Sequence, residues 1–115
     1  MSPKSRSRMA ANGSARVPVF AALGDETRLS LVAKLCDRQR YSISQLTHGS
    51  TLTRQAVTKH LQVLENAGIV HSIRAGRESR FELDPEPIEG IRDYLDFVSE
   101  QWDQALLRLR LFIED

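Results

Sequence analysis

Between Thr51 and Leu83 the chain runs TLTRQAVTKHLQVLENAGIVHSIRAGRESRFEL, and its polar side chains suit one chemistry, hydrogen bonding and ion pairing to a polyanion. Thr51, Thr53, Arg54, Gln55, Thr58 and Lys59 crowd its first part, while Val57, Leu61 and Leu64 recur at i, i+4 and i+7. That spacing predicts a helix with one buried apolar stripe and a donor-rich outer face. Asn66-Ala67-Gly68 stops the helix, with Gly68 as the left-handed cap. Ile69–Arg74 then reads as a strand, Ala75-Gly76-Arg77 as a turn and Glu78–Leu83 as the return strand. A helix of this size fits the major groove of DNA, and a hairpin with a basic tip beside it can grip the flanking backbone.

Other elements must hold that helix in place. Pro18–Leu23 reads as a short apolar helix ended by Gly24. Asp25 caps the next helix, its charge suiting a helix N-terminus, and Leu29, Val32, Ala33 and Leu35 or Cys36 are expected to carry it into the core. Ser42 starts a third helix, with Gln45 at the capping-box position. Gly49-Ser50 breaks it, and Thr51 or Thr53 caps the segment described above. Two short helices joined by a tight turn, the second polar on its outer face, make a helix-turn-helix.

The C-terminal stretch carries a second pattern. Ile88, Ile91, Leu95, Val98, Trp102, Ala105, Leu109 and Phe112 follow at alternating steps of 3 and 4, an unbroken seam that Tyr94, Phe97, Leu106 and Ile113 widen. One helix over about 85–114 would be roughly 40 Å long, more than a small domain needs to cover its core. Part of the stripe is therefore expected to pack on a second copy of the chain.

The 115 residues fit one compact domain, and a 41% hydrophobic content gives it a small core that oligomerisation would help. No apolar run approaches a membrane span, and no hydrophobic signal segment follows the basic N-terminus, so a cytoplasmic protein away from membranes is expected. Cys36 is the single cysteine, which rules out an intrachain disulfide and fits a reducing compartment. The net charge of +1 hides a segregation. Residues 1–16 hold four bases and no acid, residues 38–83 seven bases against three acids, and residues 84–115 three bases against nine acids. Positive charge thus gathers on the tail and the helix-hairpin unit, as a phosphate-binding face requires. Residues 1–15 read as a disordered basic arm and residues 16–115 as the folded domain.

With these features in hand, the chain resembles the ArsR-type winged helix-turn-helix repressors. Ala21 and Leu23-Gly24-Asp25-Glu26-Thr27-Arg28-Leu29 are similar to that family's opening motif, LTRQAVTKHLQVLENAGIV to its recognition helix, and AGRESRFEL to its wing. The resemblance implies a mainly α fold with a small β-hairpin. It also implies a homodimer built on the first and last helices, with Phe20, Ile91, Leu95, Val98, Trp102, Leu109 and Phe112 at the interface. The implied activity is that of a sequence-specific repressor that occludes a promoter on double-stranded DNA. Carried onto this chain, the base-reading candidates are Arg54, Gln55, Thr58 and Lys59, flanked by Thr53 and His60. Arg54 can pair bidentately with guanine and Gln55 with adenine, whereas Thr58 and Lys59 suit phosphates. Arg74, Arg77 and Arg80 are the wing candidates, for the backbone or the minor groove. For Arg80, on a strand beside Glu78 and Glu82, the competing reading is that it only makes cross-strand pairs.

The metal-sensing members differ from this chain. The third-helix segment Tyr41-Ser42-Ile43-Ser44-Gln45 has no Cys-x-Cys element, and the last helix offers Asp93, Asp96, Glu100 and Asp103 without a histidine. Neither a metal nor a cofactor is expected. Cys36 reads as core rather than as a redox sensor, and His48, His60 and His71 show no ligand spacing among themselves. No nucleophile triad, Gly-rich phosphate loop or zinc motif points to an enzyme. The alternative function is a winged-helix module for protein–protein contact, which should expose apolar groups on the recognition helix. An unidentified small-molecule effector stays open as a partner, and a bacterial, nucleoid-associated location follows from the resemblance.

Overall fold

The computed structural model describes residues 15–114. The expected basic arm, residues 1–15, lies outside them except for Ala15. The order is α1 (Val17–Leu23), α2 (Glu26–Leu35), β1 (Tyr41–Ser42), α3 (Ile43–Thr47), α4 (Arg54–Asn66), β2 (Val70–Ala75), β3 (Glu78–Leu83) and α5 (Pro85–Glu114). It is a mainly helical winged helix-turn-helix, as expected, with a sheet of three strands rather than two.

Local chemistry sets most boundaries. Asp25 accepts a hydrogen bond from the Arg28 backbone N–H at 3.0 Å and caps α2. Ser42 and Gln45 form the reciprocal capping box of α3. At the end of α4 the chain turns through Gly68 at φ +77°, where Gly68 N–H donates to Glu65 and Ile69 N–H to Leu64. This double closure is a Schellman motif, and it folds Ile69 back onto Leu64 inside the core.

The extra strand is β1. It pairs antiparallel with β3, Tyr41 opposite Phe81 and Ser42 opposite Arg80, giving the sheet order β1-β3-β2. Two residues are too few to show an alternating pattern, and this strand exists only because β3 offers it an edge.

Leu31, Val32, Leu35, Leu46, Val57, Leu61, Leu64, Ile69, Val70 and Phe81 form the core, joined by Val19, Ala22 and Ile91. Two expectations for α2 are corrected. Leu29 is 53% exposed and Ala33 is exposed, while Leu31 takes the inward position. Cys36 is exposed at the C-cap of α2 rather than buried in the core. The helix uses the face that runs through Arg28, Leu31, Val32 and Leu35, and a neighbouring residue on a helix points about 100° away.

Asp84 ties the wing to α5. Its carboxylate accepts from the Glu86 backbone N–H at 2.9 Å and meets His71 Nε2 at 2.7 Å. The Glu86 N–H first, then His71, hold the Asp84 carboxyl below its ordinary value of 3.8 against a small desolvation cost. A depressed folded-state value stabilises the fold above pH 3.8, and that contribution disappears as pH falls through the folded value. Asp84→Asn is therefore expected to lower stability at neutral pH and to flatten the acid limb of the stability curve. An Asn variant with an unaltered acid limb in denaturant melts at several pH values would refute this.

Candidate nucleic-acid interface

The burial pattern of α4 separates an apolar from a polar face, with Val63, 39% exposed, as the apolar exception. Val57, Leu61 and Leu64 are sealed in the core, while Arg54, Gln55, Thr58, Lys59 and Gln62 are exposed. The exposed set follows at i, i+1, i+4, i+5 and i+8, which places it on one side of a helix. Gln62, four residues after Thr58, extends the sequence-predicted set along the same face. Its amide nitrogen donates to Asn66 Oδ1 at 3.0 Å, so both amides are already oriented.

Two of the threonines have local roles. Thr53 is the N-cap, its Oγ1 accepting from Ala56 N–H at 3.1 Å, and the Thr58 hydroxyl donates to the Arg54 carbonyl at 2.7 Å. Thr53→Ala is expected to cost about 1 kcal/mol of stability and Thr53→Ser to restore it, as read by chemical denaturation. An Ala variant as stable as the parent would remove the capping role.

His60 departs from the others. Its side chain is 24% exposed and turns back toward the start of α2, with Nδ1 at 3.3 Å from Arg28 Nη1 and 3.8 Å from Asp25 Oδ2. The structure therefore does not bring His60 onto the exposed face with Arg54, Gln55 and Lys59.

The register of the wing sorts its arginines. Arg74 pairs with Ser79 and Ile73 with Arg80, so Arg74 and Arg80 project from opposite faces of the hairpin. Gly76, at φ +67°, begins the two-residue turn that sets this register and places Arg77 at the tip. Arg80 Nε lies 3.4 Å from Glu78 Oε2 along its own strand, while Glu82 pairs with Arg40 at 3.1 Å. Arg80 is thus ion-paired within its own strand rather than across strands, where Ser42 and Ile73 stand opposite it. Arg54, Lys59, Arg74 and Arg77 have no carboxylate within salt-bridge distance among the described residues.

One groove joins helix and wing. It has a volume of about 290 Å³ and is lined by Ser42, Ile43, Arg54, Arg77, Glu78 and Ser79. Residues 23 positions apart, Arg54 at the start of α4 and Arg77 at the hairpin tip, thereby edge the same concavity. Two arginines lining one groove, where the carboxylate of Glu78 is paired with Arg80, suit an anion such as a phosphate.

The dimer candidates fall into two groups. Ile91 is 8% exposed and belongs to this chain's own core, and Phe20 packs edge to face on Tyr94 with centroids 6.0 Å apart. Farther along α5 the seam is bare: Leu95, Trp102, Leu109 and Phe112 are exposed, and Val98 is half-buried. Among the described residues, no group of three or more His, Cys, Asp or Glu is placed to hold a metal ion, and no helix is long and apolar enough to cross a membrane.

A capped helix with a polar outer face, packed beside a basic hairpin, defines the winged helix-turn-helix class of DNA-binding proteins. Residues 25–72 match the family model of the bacterial regulatory proteins of the arsR family. The chain is similar to the HTH-type transcriptional regulator YuzN of Bacillus subtilis, with 37% identity over 79 residues that cover 64% of this chain and 86% of that protein. It is also similar to the arsenical resistance operon repressor of the same organism, with 29% identity over 72 residues, 63% of this chain and 69% of that one. An ArsR-like transcriptional regulator from Rhodococcus sp. RHA1 superposes with a TM-score of 0.76 at 31% identity, covering 89% of this chain and 95% of that chain. The chain belongs to the ArsR family and is a DNA-binding transcriptional regulator.

Proposed function

We propose that the protein is a homodimeric repressor that places two copies of α4 in successive major grooves of an operator and occludes the promoter beneath it. The observation that supports this reading is the exposed polar face of α4, whose Arg54 and Lys59 have no carboxylate partner among the described residues and whose Arg54 lines one groove with Arg77. Arg54 and Gln55 read base edges, while Thr58 and Lys59 hold phosphates and fix register. Arg77 and Arg74 grip the backbone, and Arg80, held by Glu78, contributes less. The bare seam of α5, centred on Leu95, Trp102, Leu109 and Phe112, forms the twofold interface with α1. The dimer needs no cofactor, metal or catalytic group and works in the bacterial cytoplasm on the nucleoid. A small-molecule effector that favours a different spacing of the two recognition helices would release it.

The deciding experiment is binding to the chain's own upstream DNA and to a scrambled duplex over a salt series. Strong preference for the upstream duplex supports the repressor. Weak binding to both duplexes that vanishes with salt would instead leave a basic face with only electrostatic affinity and favour a protein partner for the wing. Within that assay, Arg77→Ala is expected to weaken binding to every duplex alike and to lower the salt slope by about 1. A loss confined to one sequence would contradict the backbone role.

A further inference from the structure

Arg28 touches three elements at once. Its Nε donates to the Ala22 carbonyl near the end of α1 at 2.6 Å, and its Nη1 lies 3.3 Å from His60 Nδ1 on α4. Its own backbone N–H is held by the Asp25 carboxylate, which also approaches His60 Nδ1. A guanidinium only donates, so a hydrogen bond here requires His60 Nδ1 as the acceptor. These contacts are partly buried, and they lie behind the face that carries Arg54, Gln55 and Lys59.

We propose that Arg28 and His60 are positioning residues that lock the rotation of the recognition helix to α1. The inference rests on α4 being the element that reads DNA. Apolar packing by Val57, Leu61 and Leu64 holds α4 against the core, but the force behind it is non-directional. A planar guanidinium shared between two acceptors fixes distance and angle together. Base contacts lose their value when the presenting groups stray by more than about 0.5 Å, so this constraint falls where it counts. Helix α1 is also where α5 meets the body of the domain, through Phe20 and Tyr94. The path from Tyr94 on α5 to α1, and through Arg28 to His60, therefore links α5 to the recognition helix.

The test compares His60→Leu, His60→Asn, Arg28→Met and Arg28→Lys in the full chain. The readout is the ratio of affinities for the upstream duplex and a scrambled duplex, with thermal unfolding measured alongside. His60→Leu is expected to lower the ratio roughly tenfold while scrambled binding and cooperative unfolding persist. His60→Asn should recover most of it, because the amide oxygen lies close to the place of Nδ1. Arg28→Lys should not, because an ammonium cannot span both acceptors as the fork does. Combining Arg28→Met with His60→Leu should cost no more than either alone. If Arg28→Met unfolds the chain, the His60→Leu and His60→Asn pair decides, since both keep Arg28 on Ala22. An unchanged ratio in His60→Leu, a parallel fall on both duplexes, or additive losses would overturn the proposal. A wild type with no preference for its upstream duplex would overturn the DNA reading beneath it, a result distinct from a discriminating wild type matched by an equally discriminating His60→Leu.

Discussion

Trp102→Asp is expected to turn a dimer into a monomer and to abolish tight operator binding while leaving the fold intact. Trp102 is 64% exposed in the single chain and Phe112 is 81% exposed, so neither owes its position to packing within the protomer. A tryptophan at the centre of an interface costs about 2 kcal/mol or more when truncated. That alone raises the dimer Kd by roughly 30-fold, since about 1.4 kcal/mol is a factor of ten. Aspartate adds the penalty of a carboxylate with no partner in an apolar seam. Sedimentation across a dilution series should show the shift directly. The unfolding midpoint of the parent should rise with concentration, because a partner that binds only the native state stabilises by mass action, and the variant should lose that dependence. Far-ultraviolet circular dichroism should stay unchanged. DNA affinity should collapse because each monomer reaches one half-site alone. A Trp102→Asp chain that sediments as the parent does at every dilution would remove Trp102 from the interface.

What could be read in the sequence follows the range of the forces involved. Helix caps are local: the side chains of Asp25, Ser42 and Thr53 and the glycine at position 68 act within a few residues, and all four do in the structure what their positions announce. The apolar stripe of α4 is similarly legible because thirteen residues give more than three turns in which a period shows. Helix α2, ten residues long, offers both Leu29 and Leu31 to the core. Only the arrangement of α1 and α4 around it selects Leu31, and that choice turns Ala33 and Cys36 outward as well.

The remaining departures are tertiary. Strand β1 depends on an edge supplied by β3 some forty residues later. His60 finds its partner 32 residues back in the chain, and no local pattern signals that contact. The wing arginines look alike in sequence, yet the two-residue turn at Gly76 fixes a register that sends Arg74 and Arg80 to opposite faces. Turn length is one residue of information, and every side-chain direction in the hairpin hangs on it. The seam of α5 is the reverse case: its apolar pattern is plain in the sequence, and in the single chain most of it lies exposed.

Arg54→Ala is the variant that separates reading from gripping. Arg54 opens α4 immediately after the Thr53 cap, where side chains of a recognition helix reach base edges, and it lines the same groove as Arg77. Alanine is a strong helix former, and Arg54 is exposed, so the substitution should leave the fold unaltered. If Arg54 reads a guanine, its loss should weaken operator binding by about 1–3 kcal/mol, about 5- to 150-fold, and leave binding to scrambled DNA nearly unchanged. Arg54→Lys should restore little of this, because an ammonium cannot reproduce a bidentate pair. The Arg77→Ala variant supplies the contrast, with a uniform loss and a reduced salt slope. Should Arg54→Ala behave as Arg77→Ala does, losing affinity equally on every sequence, the two guanidiniums would share a phosphate in their common groove. Base reading would then fall to Gln55 and the exposed Gln62 a turn or two along the same face.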